Sequence, residues 1–158
     1  MKKNTQWYIK KFNELSLHQL YDALKLRVDV FVVEQDCIYP DLDSEQDQLD
    51  RHADTLHLLG YQDTELVAYL RILARGQRYD NHISIGRVVI VEHVRGTGLG
   101  HELMSKGLNA CEQHFTHQEI KISAQEHLSN FYHQHNFEQV SEMYLEDGIP
   151  HIAMVRKR

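Results

Sequence analysis

Three glycines at alternate positions form the sequence pattern with the clearest chemical meaning. They lie in Arg95-Gly96-Thr97-Gly98-Leu99-Gly100, between the valine-rich stretch Val88 to Val91 and a run with apolar residues at helical spacing. Glycine lets backbone amides converge on one point because it has no Cβ, and a following helix adds the positive end of its dipole. The spacing therefore predicts an anion cradle suited to a pyrophosphate, in preference to a plain strand-to-helix turn.

Two common phosphate-binding fingerprints do not match this turn. The dinucleotide pattern Gly-x-Gly-x-x-Gly needs a third glycine where His101 stands, so the third glycine falls one place early. A nucleoside-triphosphate loop needs Gly-Lys-Ser/Thr after four spacer residues, and the sequence does not supply it. Both the dinucleotide and the triphosphate interpretations are weakened.

The flanking patterns predict the elements that hold the turn. Ser16 and Gln19 match a capping box, and the apolar spacing behind them predicts a helix from Leu17 to about Val33. The apolar face of that helix is expected to comprise Leu17, Leu20, Tyr21, Leu24, Val28 and Phe31. A second helix follows the glycine turn, with Leu103, Met104, Leu108 and Cys111 on one face, and a third covers 127–135. The predicted strands are 7–12, 55–61, 65–73, 83–92, 119–124, 137–146 and 151–156. This mixed order predicts an α+β or α/β fold, a mixed central sheet with helices on both faces.

Composition excludes several classes of function. There are 17 Lys and Arg residues against 23 Asp and Glu, a net charge of −6, whereas nucleic-acid binders normally carry a basic surplus. The longest apolar runs, Val30 to Val33 and Val88 to Val91, are far too short to span a bilayer. No apolar segment follows the basic N-terminus, and Cys37 and Cys111 form no Cys-x-x-Cys pair. We expect one domain over residues 1–158, in the reducing cytoplasm, without nucleic-acid or membrane partners.

Two motifs in this order resemble the GNAT N-acetyltransferase family. Arg95-x-x-Gly98-x-Gly100, after a valine-rich strand and before a helix, looks like the acetyl-CoA signature of that family. The stretch from Gln125 to Phe137 is similar to its second motif, with Asn136 where most members have glycine. Asparagine tolerates the left-handed conformation better than most residues, so this departure is expected to change little. The resemblance extends over nearly the whole chain to the ElaA-type subgroup, through Phe31 to Cys37 and Asp147 to His151.

The resemblance implies an N-acetyltransferase that moves an acetyl group from acetyl-CoA to a primary amine by direct attack. Its donor-binding residues would be the turn and the strand before it, together with Gln125: Val88, Val89, Ile90, Arg95, Gly96, Thr97, Gly98, Leu99, Gly100 and His101. A free amide on the strand would polarise the thioester carbonyl. Tyr132 matches the position that gives a proton to the departing thiolate, although solvent is an alternative source.

The residue that deprotonates the amine is left open. A free alkylamine is mostly protonated at neutral pH, so a base must act before or during attack. Glu34 follows the apolar end of the first helix and Glu92 ends the strand beside the turn, and either carboxylate is a candidate through a water. His93 and His151 are weaker candidates.

Other features of the sequence allow alternatives. The acidic stretch Asp41 to Asp50 either attracts a cationic amine or is a solvated loop, and it fails as a calcium loop because Gln46 replaces the required glycine. Twelve histidines invite a metal interpretation, but Cys111, His114 and His117 lack a second ligand pair, so we expect no metal. A non-catalytic acyl-CoA-binding or regulatory module on the same fold remains an alternative, as does acyl-homoserine-lactone synthesis, suggested by Arg27 to Phe31. A homodimer is also left open.

Overall fold

The computed structural model describes residues 3–43, 46 and 48–157. Within these residues the strands are β1 (Gln6–Lys11), β2 (Leu56–Gln62), β3 (Glu65–Leu73), β4 (Ser84–Ile90), β5 (Ile120–Gln125), β6 (Glu138–Gln139), β7 (Tyr144–Glu146) and β8 (Ile149–Arg156). The α-helices are α1 (Leu17–Arg27), α2 (Leu99–His114) and α3 (Ser129–His133). A π-helix covers Val28–Glu34, and short 3₁₀ turns cover Phe12–Glu14, Leu49–Arg51, Glu92–Val94 and Glu126–Leu128.

The strands form two four-stranded sheets that meet along one short parallel contact. β1, β2, β3 and β4 pair in that order, and β8 pairs with β5, β6 and β7, all antiparallel. The two sheets join where Ile83 bridges Ile120 in parallel, through Ile83 N–H to Glu119 O at 3.1 Å and Lys121 N–H to Ile83 O at 2.9 Å. The predicted mixed α+β sheet is therefore confirmed, with a division in its middle that the sequence pattern did not indicate.

Helices cover both faces of the first sheet, as predicted. Neighbouring strand residues point to opposite faces, so Leu58 and Leu59 contact different layers. Leu58 belongs to the core cluster of α2, whereas Leu59 belongs to the cluster of α1. The predicted α2 face is confirmed, since Leu103, Met104 and Cys111 are buried there. Among the described residues, no helix is both long and apolar enough to cross a bilayer.

The first helix begins as predicted but buries a different face. Ser16 Oγ accepts from Gln19 N–H, and Gln19 Oε1 accepts from Ser16 N–H, each at 3.0 Å, so the capping box is confirmed. The predicted apolar face is only partly confirmed, because Leu17 is 85% and Tyr21 70% exposed, whereas Leu20, Leu24 and Phe31 are half-buried. The buried positions are instead Ala23, Leu26, Arg27 and Val30. Packing against β2, β3 and β4 selected a face that includes an arginine, which hydrophobic spacing cannot anticipate.

The helix also changes its winding after Arg27. Gln35 N–H bonds Val30 O and Cys37 N–H bonds Val32 O, so each bond spans five residues in place of four. This segment contains four valines, whose β-branched side chains crowd a regular α-helical turn. π-helical turns are rare in proteins overall, but those that occur are often found at functional sites. This one forms a wall of the cleft described below.

The predicted strand 137–146 is interrupted. Its ends form β6 and β7. Between them, Val140 N–H still donates to Ala153 O at 2.8 Å, and Ser141 Oγ accepts from Ala153 N–H at 2.9 Å in place of a backbone carbonyl. A hydroxyl that substitutes for a carbonyl in this way satisfies the backbone of β8 without a regular partner strand.

Candidate active site

A cleft opens where β4 and β5 separate. The two strands are joined at the Ile83–Ile120 bridge, and further pairing between them is absent from the described residues. The π-helix and the residue after it line the resulting gap through Phe31 and Gln35, and α3 and the 3₁₀ turn before it line the gap through Tyr132 and Leu128. These residues border two connected cavities, which we name the glycine-turn half, about 470 Å³, and the β8 half, about 120 Å³.

The glycine-turn half brings together most of the residues that the sequence predicted. It is lined by Val88, Val89 and Ile90 from β4 and by the glycine turn. The turn contributes Arg95, Gly96 and Gly100. Predicted residues on other segments, namely Glu34, Gln125 and Tyr132, also line this half. Segments far apart in the chain thus converge on one apolar groove, as the predicted donor site requires.

The glycine turn has the backbone geometry of an anion cradle. Gly96 and Gly98 have φ values of +79° and +87°, and a Cβ placed on either would meet nothing within 4 Å. The first bond of α2 joins Glu102 N–H to Gly98 O at 3.2 Å. The amides of Leu99, Gly100 and His101 precede that bond and so have no partner one turn back in the helix. A pyrophosphate fits this open end, because free amides and the helix dipole both favour negative charge.

The side chains of Thr97, Leu99 and His101 all have contacts within the protein. Thr97 Oγ1 donates to Val94 O at 2.7 Å, which closes the turn. Leu99 is buried in the core beneath α2. The His101 ring packs on Phe131, and its Nδ1 lies 2.9 Å from His135 Nε2. Any contact from these three residues to a ligand in the cradle therefore depends on their amides.

A β-bulge interrupts β4 beside the cleft. Val89 pairs with Tyr69 and Gly86 with Arg71, so Arg87 and Val88 together face the single residue Leu70. Arg87 has a φ of 52°, and its Nη2 donates to Asp41 O at 2.9 Å. A bulge leaves a residue out of the ladder, so β4 has unpaired backbone where Val88 lines both cavities. The sequence signal was Gly86 within an otherwise β-branched strand.

Tyr132 lies where the two cavities meet. It lines both of them, and its ring packs edge-on against Phe131 and Phe137. Burial raises the pKa of the Tyr132 phenol, so the hydroxyl stays protonated at neutral pH. The turn after α3 bends at Asn136, whose φ of 68° confirms the expected left-handed conformation.

Glu34 is held by the first residue of the turn motif. Both terminal nitrogens of Arg95 donate to its carboxylate, with Nη2 to Oε1 at 2.9 Å, while Arg95 Nε donates to Ile90 O at 3.0 Å. The bond from Arg95 lowers the pKa of Glu34. This carboxylate therefore stays ionised and ties the π-helix to the turn.

Glu92 and His93 lie outside the cleft. Both are exposed in the 3₁₀ turn after β4, and neither lines either cavity. His93 Nε2 is instead 2.8 Å from Glu65 Oε2 on the surface. The structure thus separates these two residues from the predicted site residues that line the groove.

The β8 half is polar, and sequence reasoning missed most of it. Ser123, Glu146 and His151 line it together with Arg78 from the β3–β4 connection. Of these four, only His151 had been considered. They come from four segments spread over more than seventy positions, and no short motif joins them. Only the pairing of β8 with β5 and β7 brings them into contact.

The acidic stretch is not a solvated loop at Asp41, Asp43 and Asp50, because these carboxylates are paired with arginines of the protein. Asp41 and Asp50 bond Arg27 at 2.9 and 2.8 Å, and Asp43 bonds Arg71 at 2.6 Å. Burial alone would raise the pKa of Asp50, but Arg27 and Arg71 together lower it to about 2. Arg27, which suggested lactone synthesis, thus has a packing role. Glu45 and Asp47 lie outside the described residues.

Comparisons with known proteins agree with this geometry. Residues 28–158 match the family model described as "Acetyltransferase (GNAT) domain". Protein ElaA of Escherichia coli strain K12 is 45% identical over 152 residues, which cover 96% of each chain. The crystal structure of Escherichia coli ElaA is similar with a TM-score of 0.89 at 44% identity, over 98% of this chain and 100% of that one. An acyl-CoA N-acyltransferase from Pseudomonas aeruginosa is similar with a TM-score of 0.90 at 43% identity, over 97% of this chain and 99% of that one.

Proposed function

Since the chain belongs to the GNAT acetyltransferase family, we propose that it transfers an acetyl group from acetyl-CoA to a primary amine by direct attack. The observation that carries this proposal is the position of the glycine turn. Arg95, Gly96 and Gly100 of the turn line the glycine-turn half of the groove between β4 and β5, and Tyr132 lines both halves, where the two cavities meet.

The turn and β4 would bind the donor. Amides from Arg95 to His101 and the N-terminus of α2 would hold the pyrophosphate of CoA, with the ion pair of Arg95 and Glu34 fixing the turn. Val88, Val89 and Ile90 would lie beside the pantetheine, and Gln125 would close the groove from β5. The groove is largely apolar along this path, which suits an alkyl arm that carries few polar groups.

The bulge and Tyr132 would act on the thioester. An unpaired amide at the Arg87–Val88 bulge would donate to the carbonyl oxygen, which gains negative charge during attack. Tyr132 would give its proton to the thiolate that leaves as the carbon–sulfur bond breaks. A phenol whose pKa is raised by burial remains protonated until that charge appears.

The two glutamates expected as bases are poorly placed for that role. Glu34 lines only the glycine-turn half, and its lowered pKa makes it a weaker proton acceptor. Glu92 is exposed outside the cleft and would need a chain of waters. We therefore assign Glu34 to holding Arg95, and we look for the base in the β8 half.

A cytoplasmic location is part of the proposal. Cys37 and Cys111 are both free, and burial raises the pKa of Cys111 to about 12, which keeps that thiol unreactive. Assembly as a homodimer stays a prediction for which sedimentation velocity is the direct test.

Calorimetric titration with acetyl-CoA tests the donor, with NAD and ATP as controls. We expect micromolar binding of acetyl-CoA alone, followed by release of free CoA thiol when a panel of primary amines is added. Binding without turnover over the whole panel would favour the non-catalytic module. Absence of acetyl-CoA binding would contradict the proposed function.

A further inference from the structure

The β8 half contains a hydrogen-bonded cluster that the steps above leave unused. Glu146 Oε1 accepts from Ser123 Oγ at 3.1 Å and from Arg78 Nη2 at 3.2 Å. Its other oxygen, Oε2, lies 3.5 Å from His151 Nε2. Tyr144 stacks on the His151 ring and shares a hydrogen bond of 2.5 Å with Ser123 Oγ. Glu146 is therefore fixed through one oxygen and directed at the histidine through the other.

The backbone determines which nitrogen of His151 can exchange a proton. Nδ1 lies 2.7 Å from Ile149 O, and a carbonyl oxygen only accepts, so Nδ1 must carry hydrogen. Nε2 is then the nitrogen free to gain or lose a proton. The side chain is 9% exposed, and it lines the cavity. His151 thus offers one basic atom, in fixed orientation, to whatever enters the β8 half.

The cluster adjoins the place where the thioester would react. His151 is the partner of Gln125 across the β5–β8 ladder, and Gln125 lines both cavities. Adjacent strands lie about 4.8 Å apart, so His151 on β8 is one strand away from Gln125 on β5. Gln125 and Tyr132 both line the junction of the two cavities. A group bound at the cluster would therefore reach the junction from the side opposite the glycine turn.

We propose that Glu146 and His151 form the acceptor site: they bind a protonated primary alkylamine and remove its proton before attack. The inference rests on the proposed function and deepens it. Glu146 attracts the ammonium group, and one N–H bond breaks as its proton passes to His151 Nε2. The free amine lone pair then forms the carbon–nitrogen bond while the carbon–sulfur bond breaks and Tyr132 gives its proton to sulfur. The acetylated nitrogen loses a second proton, which restores the Tyr132 phenol, and His151 releases the first proton to solvent.

The charges around His151 favour this transfer. Glu146 and Tyr144 face it from β7, while β5 contributes the uncharged Ser123 and Gln125. Arg78 reaches the cluster only through Glu146 and is paired with it. The Glu146 carboxylate, 3.5 Å from Nε2, thus faces the proton as it arrives, and Asp147 and Arg87 also line this cavity. The small volume, about 120 Å³, limits the part of the acceptor that enters to its amine end and a few further atoms.

Two probe amines separate the steps that a protonated amine needs, ammonium binding and proton removal, from every other step. n-Propylamine is almost wholly protonated at pH 7, whereas methoxyamine is a primary amine that is unprotonated there. The variants are His151→Asn, which keeps a donor for Ile149 O, and Glu146→Gln, which keeps the acceptor for Ser123 and Arg78. His82→Asn is the matched control, because His82 pairs with Glu119 away from both cavities.

We expect each variant to lose about 100-fold in kcat/KM with propylamine at pH 7 and less than about threefold with methoxyamine. The propylamine deficit should shrink toward pH 10, where the amine arrives unprotonated. The acetyl-CoA affinity and the thermal midpoint of both variants should stay near those of wild type. If His151→Asn fails to fold, the kinetics of Glu146→Gln alone test the inference. The control should match wild type with both amines.

Equal losses with the two amines, or no loss, would overturn the inference while the proposed function stands. A wild-type protein that binds acetyl-CoA but acetylates neither amine would overturn the assigned acceptor class. A wild-type protein that does not bind acetyl-CoA would overturn the proposed function, and the inference would fall with it.

Discussion

Tyr132 and Glu34 show how surroundings divide the roles of residues that line one groove. Tyr132 is buried between two phenylalanines, so its phenol holds a proton at neutral pH. Glu34 is bonded by Arg95, so its carboxylate holds a charge. The first is suited to giving a proton and the second to fixing a cation.

Replacement of the Tyr132 hydroxyl should affect turnover more than binding. We expect Tyr132→Phe to lower kcat by at least about tenfold, because the leaving thiolate loses its proton donor. The dissociation constant of acetyl-CoA should change by less than about threefold, since the ring keeps its packing. Steady-state kinetics and calorimetry measure the two effects, with the exposed Tyr21→Phe as control. Equal rates for Tyr132→Phe and wild type would remove the acid assignment.

Loss of the Glu34 charge should show the opposite division. Glu34→Gln breaks the two charge-assisted bonds to Arg95, so the turn is held less firmly. We expect acetyl-CoA to bind several-fold more weakly, with kcat within about twofold of wild type. Glu65→Gln, which breaks the surface pair with His93, is the matched control. A collapse of kcat at unchanged affinity would instead make Glu34 the base.

At the scale of elements, one strand, one turn and one helix together create the cradle. β4 ends at Ile90, the turn bends through two positive-φ glycines, and α2 begins with open amides. The π-helix and the bulge in β4 are the irregular elements, and both line the cleft. A regular α-helix in place of the π-helix, or a regular strand in place of the bulge, would turn different side chains and backbone groups toward the groove.

A bulky residue at Gly98 should block the cradle without unfolding the chain. Its φ of +87° makes any L-residue strained by about 1–2 kcal/mol, which a folded domain tolerates. We expect Gly98→Trp to weaken acetyl-CoA binding by at least about tenfold in calorimetry. Gly76→Trp carries the same strain in the connection between β3 and β4, outside the glycine turn, since Gly76 has a φ of +92° and equally open space. Similar affinity in the two folded variants would rule out the cradle assignment.

Across the whole molecule, a buried ionic network joins the segment after the π-helix to the first sheet. Arg27, Arg71 and Arg87 meet Asp41, Asp43 and Asp50 through bonds of 2.6–3.0 Å. The network also shapes the β8 half, because Arg87 and Tyr39 line that cavity and both contact Asp41. Stability and the form of the site therefore depend on the same charges.

The network should make the protein sensitive to acid. Asp50 has a pKa of about 2 in the fold against 3.8 for the free group, so its stabilisation is present above about pH 4 and is lost as pH falls through 2. This loss is on the order of 2 kcal/mol. We expect Asp50→Asn to cost about 3 kcal/mol at pH 6, since buried Arg27 and Arg71 each lose one of two carboxylate partners. In urea unfolding, the free energy of unfolding of this variant should fall less steeply than that of wild type as the pH drops from 4 to 2.

The control for that measurement is Asp29→Asn. Asp29 forms an exposed pair with Lys25, and solvent-exposed pairs of this kind contribute little to stability. An Asp50→Asn protein as stable as this control, with the acid limb of wild type, would contradict the assigned role of the network.

The amino-acid sequence by itself determined the local features of this protein. The capping box at Ser16, the turn from Arg95 to Gly100, the face of α2 and the left-handed bend at Asn136 were all predictable, because each depends on residues within one or two helical turns. The family resemblance was carried by the same short motifs. Both partners of such a short-range interaction lie close together in the sequence, so one sequence is enough to predict it.

Only the tertiary structure decided the rest. The separation of β4 from β5, the buried face of α1 and the meeting of Arg78, Ser123, Glu146 and His151 join segments far apart in sequence. The acidic stretch looked solvated because its arginine partners lie 14 to 46 positions away. Burial and pairing set the charge and orientation of these groups, and both are properties of the packed chain as a whole.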